Sequence, residues 1–192
     1  VDGFCPSFVS VLDADLVKPS VTHIPLEDWL KELPQPVMPR LEQPWNTVVA
    51  GVGGTGVLTI SALIAMAAHL EGKGCATLNQ TGLAQKFGAV VSHVRVARQQ
   101  SEILAVRIPA GEADLLLGCD FIVACGDETL AKVTHGRTHA VLNQQATPTS
   151  DLISNPDASV PYSSLIERVE AEVDVSQLVW LDATRIATEL MG

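Results

Sequence analysis

Residues 47–70 read TVVAGVGGTGVLTISALIAMAAHL, and the fold class can be inferred from this segment. A β-branched run at 47–52 leads into four glycines, Gly51, Gly53, Gly54 and Gly56, and an apolar segment at 57–70 follows. A strand, a glycine turn and a helix in this order are the context that the nucleotide-binding pattern GxGxxG requires. We therefore predict an α/β domain that begins with this unit.

The same stretch belongs to a window, residues 43–70, that contains no formally charged side chain. A membrane-spanning helix needs about 20 consecutive apolar residues. Pro44 and the glycines interrupt the window, and the apolar segment after Gly56 has the length of a buried helix. The N-terminus has neither the basic start nor the apolar core of a signal peptide. We therefore expect no membrane segment. Because the sequence starts with Val1 rather than Met, we also expect a piece of a longer chain.

The composition excludes two further classes of protein. The 192 residues carry 12 Lys and Arg against 22 Asp and Glu, a formal charge of −10. A nucleic-acid binder needs surplus cations to neutralise phosphates, so we expect no nucleic-acid partner. A chain that is 47% hydrophobic and only 18% charged is too apolar to be disordered. One domain, or one domain with an arm, is the expected organisation.

Proline recurs throughout residues 1–45, at Pro6, Pro19, Pro25, Pro34, Pro36, Pro39 and Pro44. This spacing excludes long helices and central strands. We therefore predict an extended N-terminal arm or linker over 1–45, with one short helix at 26–33, and a globular domain over 46–192. We expect the arm to come from a preceding domain, and the globular domain to continue beyond Gly192.

Apolar runs and turn residues alternate through the rest of the chain. Strands are predicted at 47–52, 75–79, 89–97, 103–108, 121–124, 140–143 and 178–182. Helices are predicted at 57–70, 111–118, 127–134, 163–173 and 183–190. We expect 103–108 to form a hairpin with 89–97. The order predicts the α/β class: a three-layer domain with a mostly parallel, Rossmann-like sheet that contains an antiparallel hairpin.

The glycine turn is the first candidate site, made of Gly51, Gly53, Gly54, Thr55 and Gly56. Glycines permit close approach of a ligand, and the first turn of the following helix offers free N–H groups to an anion. A dinucleotide site also needs an acidic residue about 20 positions later. Residues 78–82 read LNQTG and contain none, which favours a phosphate or other anion over NAD. A purely structural role for the glycines, close packing of helix and strand, is the alternative.

A second candidate cluster follows, made of Thr81, Gly82, Lys86 and Arg95. Residues 72–101 contain four basic side chains and no acidic one. The carboxyl ends of parallel strands meet at one edge of a sheet, so we expect this cluster to face the same crevice as the glycine turn. The alternative is a solvated loop whose cations pair with acids elsewhere, which we favour for Lys73 and Arg98.

No catalytic group is assembled by the sequence alone. Ser92 and His93 are adjacent on a predicted strand and point to opposite faces, which excludes a Ser-His pair. For His93 a hydrogen-bonded structural role is favoured. The four cysteines, Cys5, Cys75, Cys119 and Cys125, include no Cys-x-x-Cys pair, so we predict free thiols, no metal site and a reducing, cytoplasmic setting.

Several of these motifs together resemble one family. They are VVAGVGGTGV at 48–57, TGLAQK at 81–86, GAVVSHVR at 88–95, GEADLLLGCD at 111–120 and LDA at 181–183. In this combination the chain resembles the gamma-type domain of 2-oxoacid ferredoxin oxidoreductases, and within them a fused indolepyruvate ferredoxin oxidoreductase. The resemblance covers about residues 46–190.

The resemblance implies an enzyme that oxidatively decarboxylates a 2-oxoacid to an acyl-CoA. Thiamine diphosphate and [4Fe-4S] clusters would lie in other domains, and ferredoxin would accept the electrons. This domain would support assembly of a homo-oligomeric enzyme, hold coenzyme A, and be inactive alone. Residues 3–9 resemble a segment in which cysteines bind a cluster, so Cys5 is a ligand candidate only together with cysteines upstream. The alternative is a non-catalytic nucleotide-binding regulatory module.

Overall fold

The computed structural model describes residues 12, 31, 33–37, 40–82, 88–147 and 159–191. The predicted arm, the greater part of its 26–33 helix, Cys5 and Lys86 lie outside the described residues. The strands are β1 Trp45–Val52, β2 Gly74–Thr81, β3 Ala89–Ala97, β4 Leu115–Gly118, β5 His139–Asn143 and β6 Leu178–Leu181. The helices are α1 Val57–Leu70, α2 Phe121–Ala124, α3 Asp127–Leu130, α4 Tyr162–Glu172 and α5 Ala183–Met191.

The six strands form one sheet in the order β2-β3-β1-β4-β5-β6. Neighbours in the series β1, β4, β5 and β6 are parallel. Strand β3 is antiparallel to both of its neighbours, β1 and β2. The predicted α/β class, with a mostly parallel sheet and an antiparallel hairpin, is confirmed.

Alternation of apolar side chains along β1 builds two cores, one on each face of the sheet. Val48 and Ala50 belong to a cluster that includes Phe121 of α2 and Val169 of α4. Val49 belongs to a second cluster with Val57 of α1. Helix α1 therefore covers one face, and α2 and α4 cover the other, which gives the predicted three layers.

Helix α1 begins and ends at the predicted residues because glycines bound it on both sides. Gly56 precedes it with a φ of +87°. At its end Gly72, with a φ of +69°, donates its N–H to the His69 carbonyl, and Lys73 N–H donates to the Ala68 carbonyl. These bonds satisfy the last carbonyls of the helix, as glycine caps do.

The predicted hairpin between 89–97 and 103–108 is wrong. Both edges of β3 are occupied, one by β1 and the other by β2, so no edge is left for a third partner. Residues 103–108 instead form no strand, and they bond side chains of β3: Ile108 N–H donates to Nδ1 of His93, and the Ala105 carbonyl accepts from Arg95. The hairpin of the sheet is formed by β2 and β3.

Two further predicted elements have the opposite conformation. The helix predicted at 111–118 contains β4, because Asp114 N–H donates to the Asn46 carbonyl and draws the following leucines between β1 and β5. The strand predicted at 121–124 is the short helix α2. Asp120 caps it, since its carboxylate accepts from Val123 N–H at 3.1 Å.

Candidate functional site

The candidate site lies at the carboxyl edge of the sheet. It is next to β1, the strand at which the order of the sheet changes direction: β2 and β3 are on one side of β1, and β4 to β6 are on the other. From β1 the chain moves through α1 towards β2 and β3, whereas β4, β5 and β6 lie on the other side of β1. Ligands of open α/β sheets bind in the crevice at such a switch point. The glycine turn, residues 53–56, occupies this position.

The glycine turn leaves the first turn of α1 open. Gly54 and Gly56 have φ values of +103° and +87°, which favour glycine at both positions. Thr55 closes the turn, since its N–H and its hydroxyl both donate to the Val52 carbonyl, at 3.0 and 2.8 Å. No side chain caps α1, and its first turn holds no acidic residue. The N-terminal N–H groups of α1 can therefore donate hydrogen bonds to an anion.

Gly51 is required for packing within the chain. A Cβ atom at this position would lie 2.5 Å from Oγ1 of Thr55 and 3.0 Å from Cβ of Cys119. The missing side chain lets the loop after β4 pass against the end of β1, where Cys119 N–H donates to the Ala50 carbonyl at 2.7 Å. Gly51 therefore serves close packing within the chain rather than the approach of a ligand.

The remaining glycines of the turn line a hollow of about 260 Å³. Gly53, Gly54 and Gly56 form one wall, and Thr59 and Val90 contribute to the others. Gly53 N–H donates to the Gly88 carbonyl at 2.9 Å, which joins the turn to the start of β3. This bond places the end of the β2–β3 connection beside the turn.

The structure brings Thr81 and Gly82 to this edge and separates Arg95 from it. Thr81 pairs with Val90, and Gly82 N–H donates to the Ala89 carbonyl. Arg95 lies towards the opposite end of β3, opposite Asn46, because β3 runs antiparallel to β1. Its guanidinium donates to Oδ1 of Asn46 and to the Ala105 carbonyl, both at 2.8 Å. Lys86 lies outside the described residues.

A second cavity of about 510 Å³ lies on the other side of Thr55, between α1 and α5. We call it the α1–α5 groove. Its floor includes Leu117 and Val141, and Ile60 and Ala187 contribute to its two helical walls. Asn143, Thr147 and Thr184 also line it. None of its lining residues, all within the described part of the chain, is charged.

Asn143 connects the segments that form the groove, a role that was not predicted from the sequence. Its Nδ2 donates to the Cys119 carbonyl at 3.0 Å and to Oγ1 of Thr184 at 3.1 Å. Its Oδ1 accepts from Ala183 N–H at 3.1 Å and from Gln145 N–H at 3.4 Å. One buried amide thereby joins the ends of β4 and β5 to the start of α5. This role could have been suspected from the sequence, because Asn143 is a polar residue at the end of a predicted buried strand.

His93 is structural, as predicted. It is fully buried, its Nε2 lies 2.7 Å from Oε1 of Gln80, and its Nδ1 accepts from Ile108 N–H at 3.2 Å. Burial, together with the positive charges of Lys132 and Arg107, lowers its pKa from 6.5 to about 4. The imidazole is therefore neutral near pH 7 and already uses both nitrogens.

The described cysteines are free thiols without metal-ligand geometry. Burial raises the pKa of Cys75 and of Cys119, and it raises that of Cys125 to about 12. Across residues 40–82, 88–147 and 159–191, no group of three His, Cys, Asp or Glu side chains could hold a metal ion. Within the described parts, no helix has both the length and the apolar character needed to cross a bilayer.

Comparison with known proteins identifies one family. The model of the family described as pyruvate ferredoxin/flavodoxin oxidoreductase matches residues 46–192. Indolepyruvate oxidoreductase subunit IorB of Pyrococcus horikoshii is 27% identical over 146 residues, which are 76% of this chain and 68% of that protein. The Archaeoglobus fulgidus protein of the same name is 38% identical over 98 residues, 51% of this chain and 45% of that protein.

Two solved structures share the fold. The pyruvate oxidoreductase subunit PORC of Thermotoga maritima has a TM-score of 0.51 and 13% identity, with 77% of this chain and 67% of that chain covered. The 2-oxoglutarate:ferredoxin oxidoreductase of Magnetococcus marinus has a TM-score of 0.53 and 16% identity, with 77% and 21% covered. At these identities the likeness concerns the fold alone. The chain thus matches only a fifth of that larger protein.

Proposed function

Because the chain belongs to the pyruvate ferredoxin/flavodoxin oxidoreductase family, we propose that it is the gamma-type domain of an enzyme that oxidatively decarboxylates a 2-oxoacid to an acyl-CoA. Indolepyruvate is the proposed substrate, since the curated relatives are named indolepyruvate oxidoreductase subunits. The free thiols fit a reducing, cytoplasmic setting.

Thiamine diphosphate and iron–sulfur clusters do not fit the described residues. A cluster needs several cysteine thiolates close together, and no group of three His, Cys, Asp or Glu side chains among the described residues could hold a metal ion. A divalent cation that binds a diphosphate needs carboxylate ligands, and no metal-binding group occurs among the described side chains. We therefore assign both cofactors, and electron transfer to ferredoxin, to other domains, and expect the 192-residue chain to be inactive alone.

Packing against such domains is supported by the outer side of α1. Leu58, Leu63, Met66 and Leu70 are all exposed along this helix. Large apolar side chains exposed along one helix are typical of an interface. The relatives are named as subunits, which agrees with a domain that works in an assembly. We propose that the intact enzyme is a homo-oligomer.

The proposed role of this domain in the reaction is to hold coenzyme A by its phosphates. The observation that carries this role is the uncapped N-terminus of α1 behind two positive-φ glycines, which offers free N–H groups and a positive dipole end to a phosphate. One solved structure of the same fold has coenzyme A bound. When bound, coenzyme A supplies the thiol that accepts the acyl group. Gly53, Gly54 and Gly56 would let the phosphate approach the backbone.

Thr81, Gly82 and Lys86 are proposed to border this phosphate site. Thr81 ends β2 at the same edge as the glycine turn, and Gly82 follows it, with β3 between them and β1. Lys86 belongs to the connection from β2 to β3, whose last residue, Gly88, accepts a hydrogen bond from Gly53. Arg95 is excluded from this role, because its guanidinium is engaged at the far end of β3.

The phosphate role can be tested at Thr59, an exposed residue in the first turn of α1. Thr59→Asp places a carboxylate at the helix N-terminus, which stabilises the helix and repels a bound phosphate. We expect isothermal titration calorimetry to show coenzyme A binding by the wild-type chain and at least about tenfold weaker binding by Thr59→Asp. Thr59→Asn is the neutral control and should bind normally. Equal affinity of all three chains would refute the role.

A further inference from the structure

Strand β2 forms one edge of the sheet, and no other described strand pairs with its outer side. Edge strands offer unpaired N–H and C=O groups to another chain, and soluble proteins usually protect them by charge, proline or short length. β2 has eight residues, and residues 74–85 contain neither a charged side chain nor a proline. The opposite edge, β6, has only four residues and is followed directly by Asp182. β2 is therefore the less protected edge.

The pairing with β3 determines which backbone groups of β2 point outwards. Gly82 N–H donates to the Ala89 carbonyl, and hydrogen-bonded pairs alternate with non-bonded pairs along an antiparallel ladder. The even-numbered residues of β2 therefore bond to β3, whereas the odd-numbered residues direct their N–H and C=O groups away from it. Thr77, Asn79 and Thr81 are odd-numbered, and all three are exposed. We call these three residues the open edge of β2.

The open edge ends at Thr77, because the next outward N–H group is already bonded. Cys75 N–H donates to Oε1 of Gln100 at 3.0 Å. The short helical turn that contains Gln100 thereby covers this end of the strand. The segment that remains available to another strand runs from Thr77 to Thr81, and Asn79 lies at its centre.

The side chains of the open edge are symmetrical about Asn79, since a threonine stands two positions away on either side. If two copies of the strand pair antiparallel about a two-fold axis at Asn79, Thr77 faces Thr81 of the second copy and Asn79 faces its own equivalent. Threonine pairs stabilise antiparallel strands, and no like charges oppose each other. Up to about six main-chain hydrogen bonds can form in this register. The open edge is therefore complementary to itself.

We propose that the open edge of β2 binds the same edge of a second copy of this chain, so that two sheets join into one continuous sheet across a two-fold axis at Asn79. Such an axis is perpendicular to the sheet, and helix α1, which packs on β2 and β3, therefore lies on the same face in both copies. This inference rests on the proposed homo-oligomeric state, for which it names the contact. It does not depend on the coenzyme A role.

Thr77→Pro opens the contact without removing a bond to β3. Proline lacks the outward N–H group and is tolerated on edge strands, and the two-fold axis makes the loss occur twice. We expect sedimentation equilibrium to show a dimer of the wild-type chain and a dissociation constant at least about tenfold higher for Thr77→Pro. Thr77→Val keeps the N–H group and should dimerise like the wild type. A thermal melt checks that both variants fold.

A cross-link tests the register of the two strands. Asn79→Cys places two thiols opposite each other with about 5.5 Å between their Cα atoms, which a disulfide can span. Oxidation by copper phenanthroline should therefore link the two copies, as a non-reducing gel would show. Thr77→Cys is the matched control, because its equivalent lies about 14 Å away along the strand. It should give no more cross-linked dimer than the wild-type chain with its native cysteines.

The outcomes separate this contact from the proposed function. A wild-type chain that stays monomeric, or equal cross-linking of Asn79→Cys and Thr77→Cys, overturns the β2 contact, and the coenzyme A titration with Thr59→Asp still decides the phosphate role. A wild-type dimer that Thr77→Pro leaves intact also overturns the β2 contact, while the homo-oligomeric state stands. Failure of coenzyme A to bind to a chain that dimerises through β2 refutes the phosphate role alone.

Discussion

At the amino end of the parallel strands, a carboxylate, a guanidinium and an amide side chain bind one another, whereas at the carboxyl end the buried carboxylate, Asp120, accepts only from backbone N–H groups. Asp114 accepts from Asn46 N–H at 2.8 Å and from Nε of Arg137 at 2.9 Å. Arg95 donates to the amide of the same Asn46. Asn143 and the Gly53–Gly88 bond join further segments of the carboxyl end through neutral groups.

This difference indicates which end is available to a ligand. The side chains of the amino end are occupied by partners from the same chain, so binding anything else would break bonds that stabilise the fold. The carboxyl end keeps the open first turn of α1 and two cavities beside Thr55. Substitutions at Asp114, His93 and Asn143 test this contrast, in order of decreasing expected effect.

Asp114→Ala should damage the amino end most. The substitution removes two hydrogen bonds and leaves the N–H of Asn46, which is only 2% exposed, without its acceptor. We expect the free energy of unfolding in urea to fall by about 4 kcal/mol. Arg98→Ala, which breaks an exposed pair with Glu102, should cost less than about 1 kcal/mol. A similar small loss in both variants would contradict the contrast.

His93, in the middle of β3, should make the free energy of unfolding depend on pH. Below pH 6.5 the unfolded chain binds a proton that the folded chain binds only near pH 4, because the folded pKa is lowered to that value. Stability present above pH 6.5 is therefore lost as the pH falls towards 4, by up to about 3 kcal/mol. Urea unfolding at several pH values measures this loss. His93→Gln should lack this part of the pH dependence, and an identical dependence in both chains would disprove it.

Asn143→Ala tests the neutral connection at the carboxyl end. It removes the amide that joins the loop after β4 to α5, and we expect a loss of about 2 kcal/mol in urea unfolding. Thr184→Val removes only one of its partners and should cost about 1 kcal/mol or less. A larger effect for Thr184→Val than for Asn143→Ala would reverse the assignment.

The local sequence pattern was sufficient to predict the secondary structure of the first part of the domain. Strand β1, helix α1 and strand β3 follow from β-branched runs, an apolar segment between glycines, and alternation, all of which act within a few residues. The leucines at 115–117 favour a helix by propensity, yet they form β4 because β1 and β5 provide hydrogen-bonding partners on both sides. Such long-range pairing overrides propensity and is invisible in a short window.

The candidate site also has one part that could be predicted from the sequence and one part that could not. The glycine turn could be predicted because its residues form one short motif. The α1–α5 groove could not, because the residues that line it are far apart in the sequence: Thr55, Leu117, Asn143 and Ala187. Arg95 was placed at the wrong end of the sheet because the direction of β3 was not known. Recognising the connection between β2 and β3 as the hairpin loop would have reversed that placement.

The reversal of β3 has a consequence for the order in which the polypeptide acquires structure during synthesis. Residues 45–97 contain α1 and the three strands β1, β2 and β3, and β3 pairs with both of the others. Every strand of this half has a partner before β4 leaves the ribosome, and the β2–β3 pairing is close in sequence. We expect this half to condense first, with the exposed edge of β1 serving as the template on which β4, β5 and β6 are added in turn.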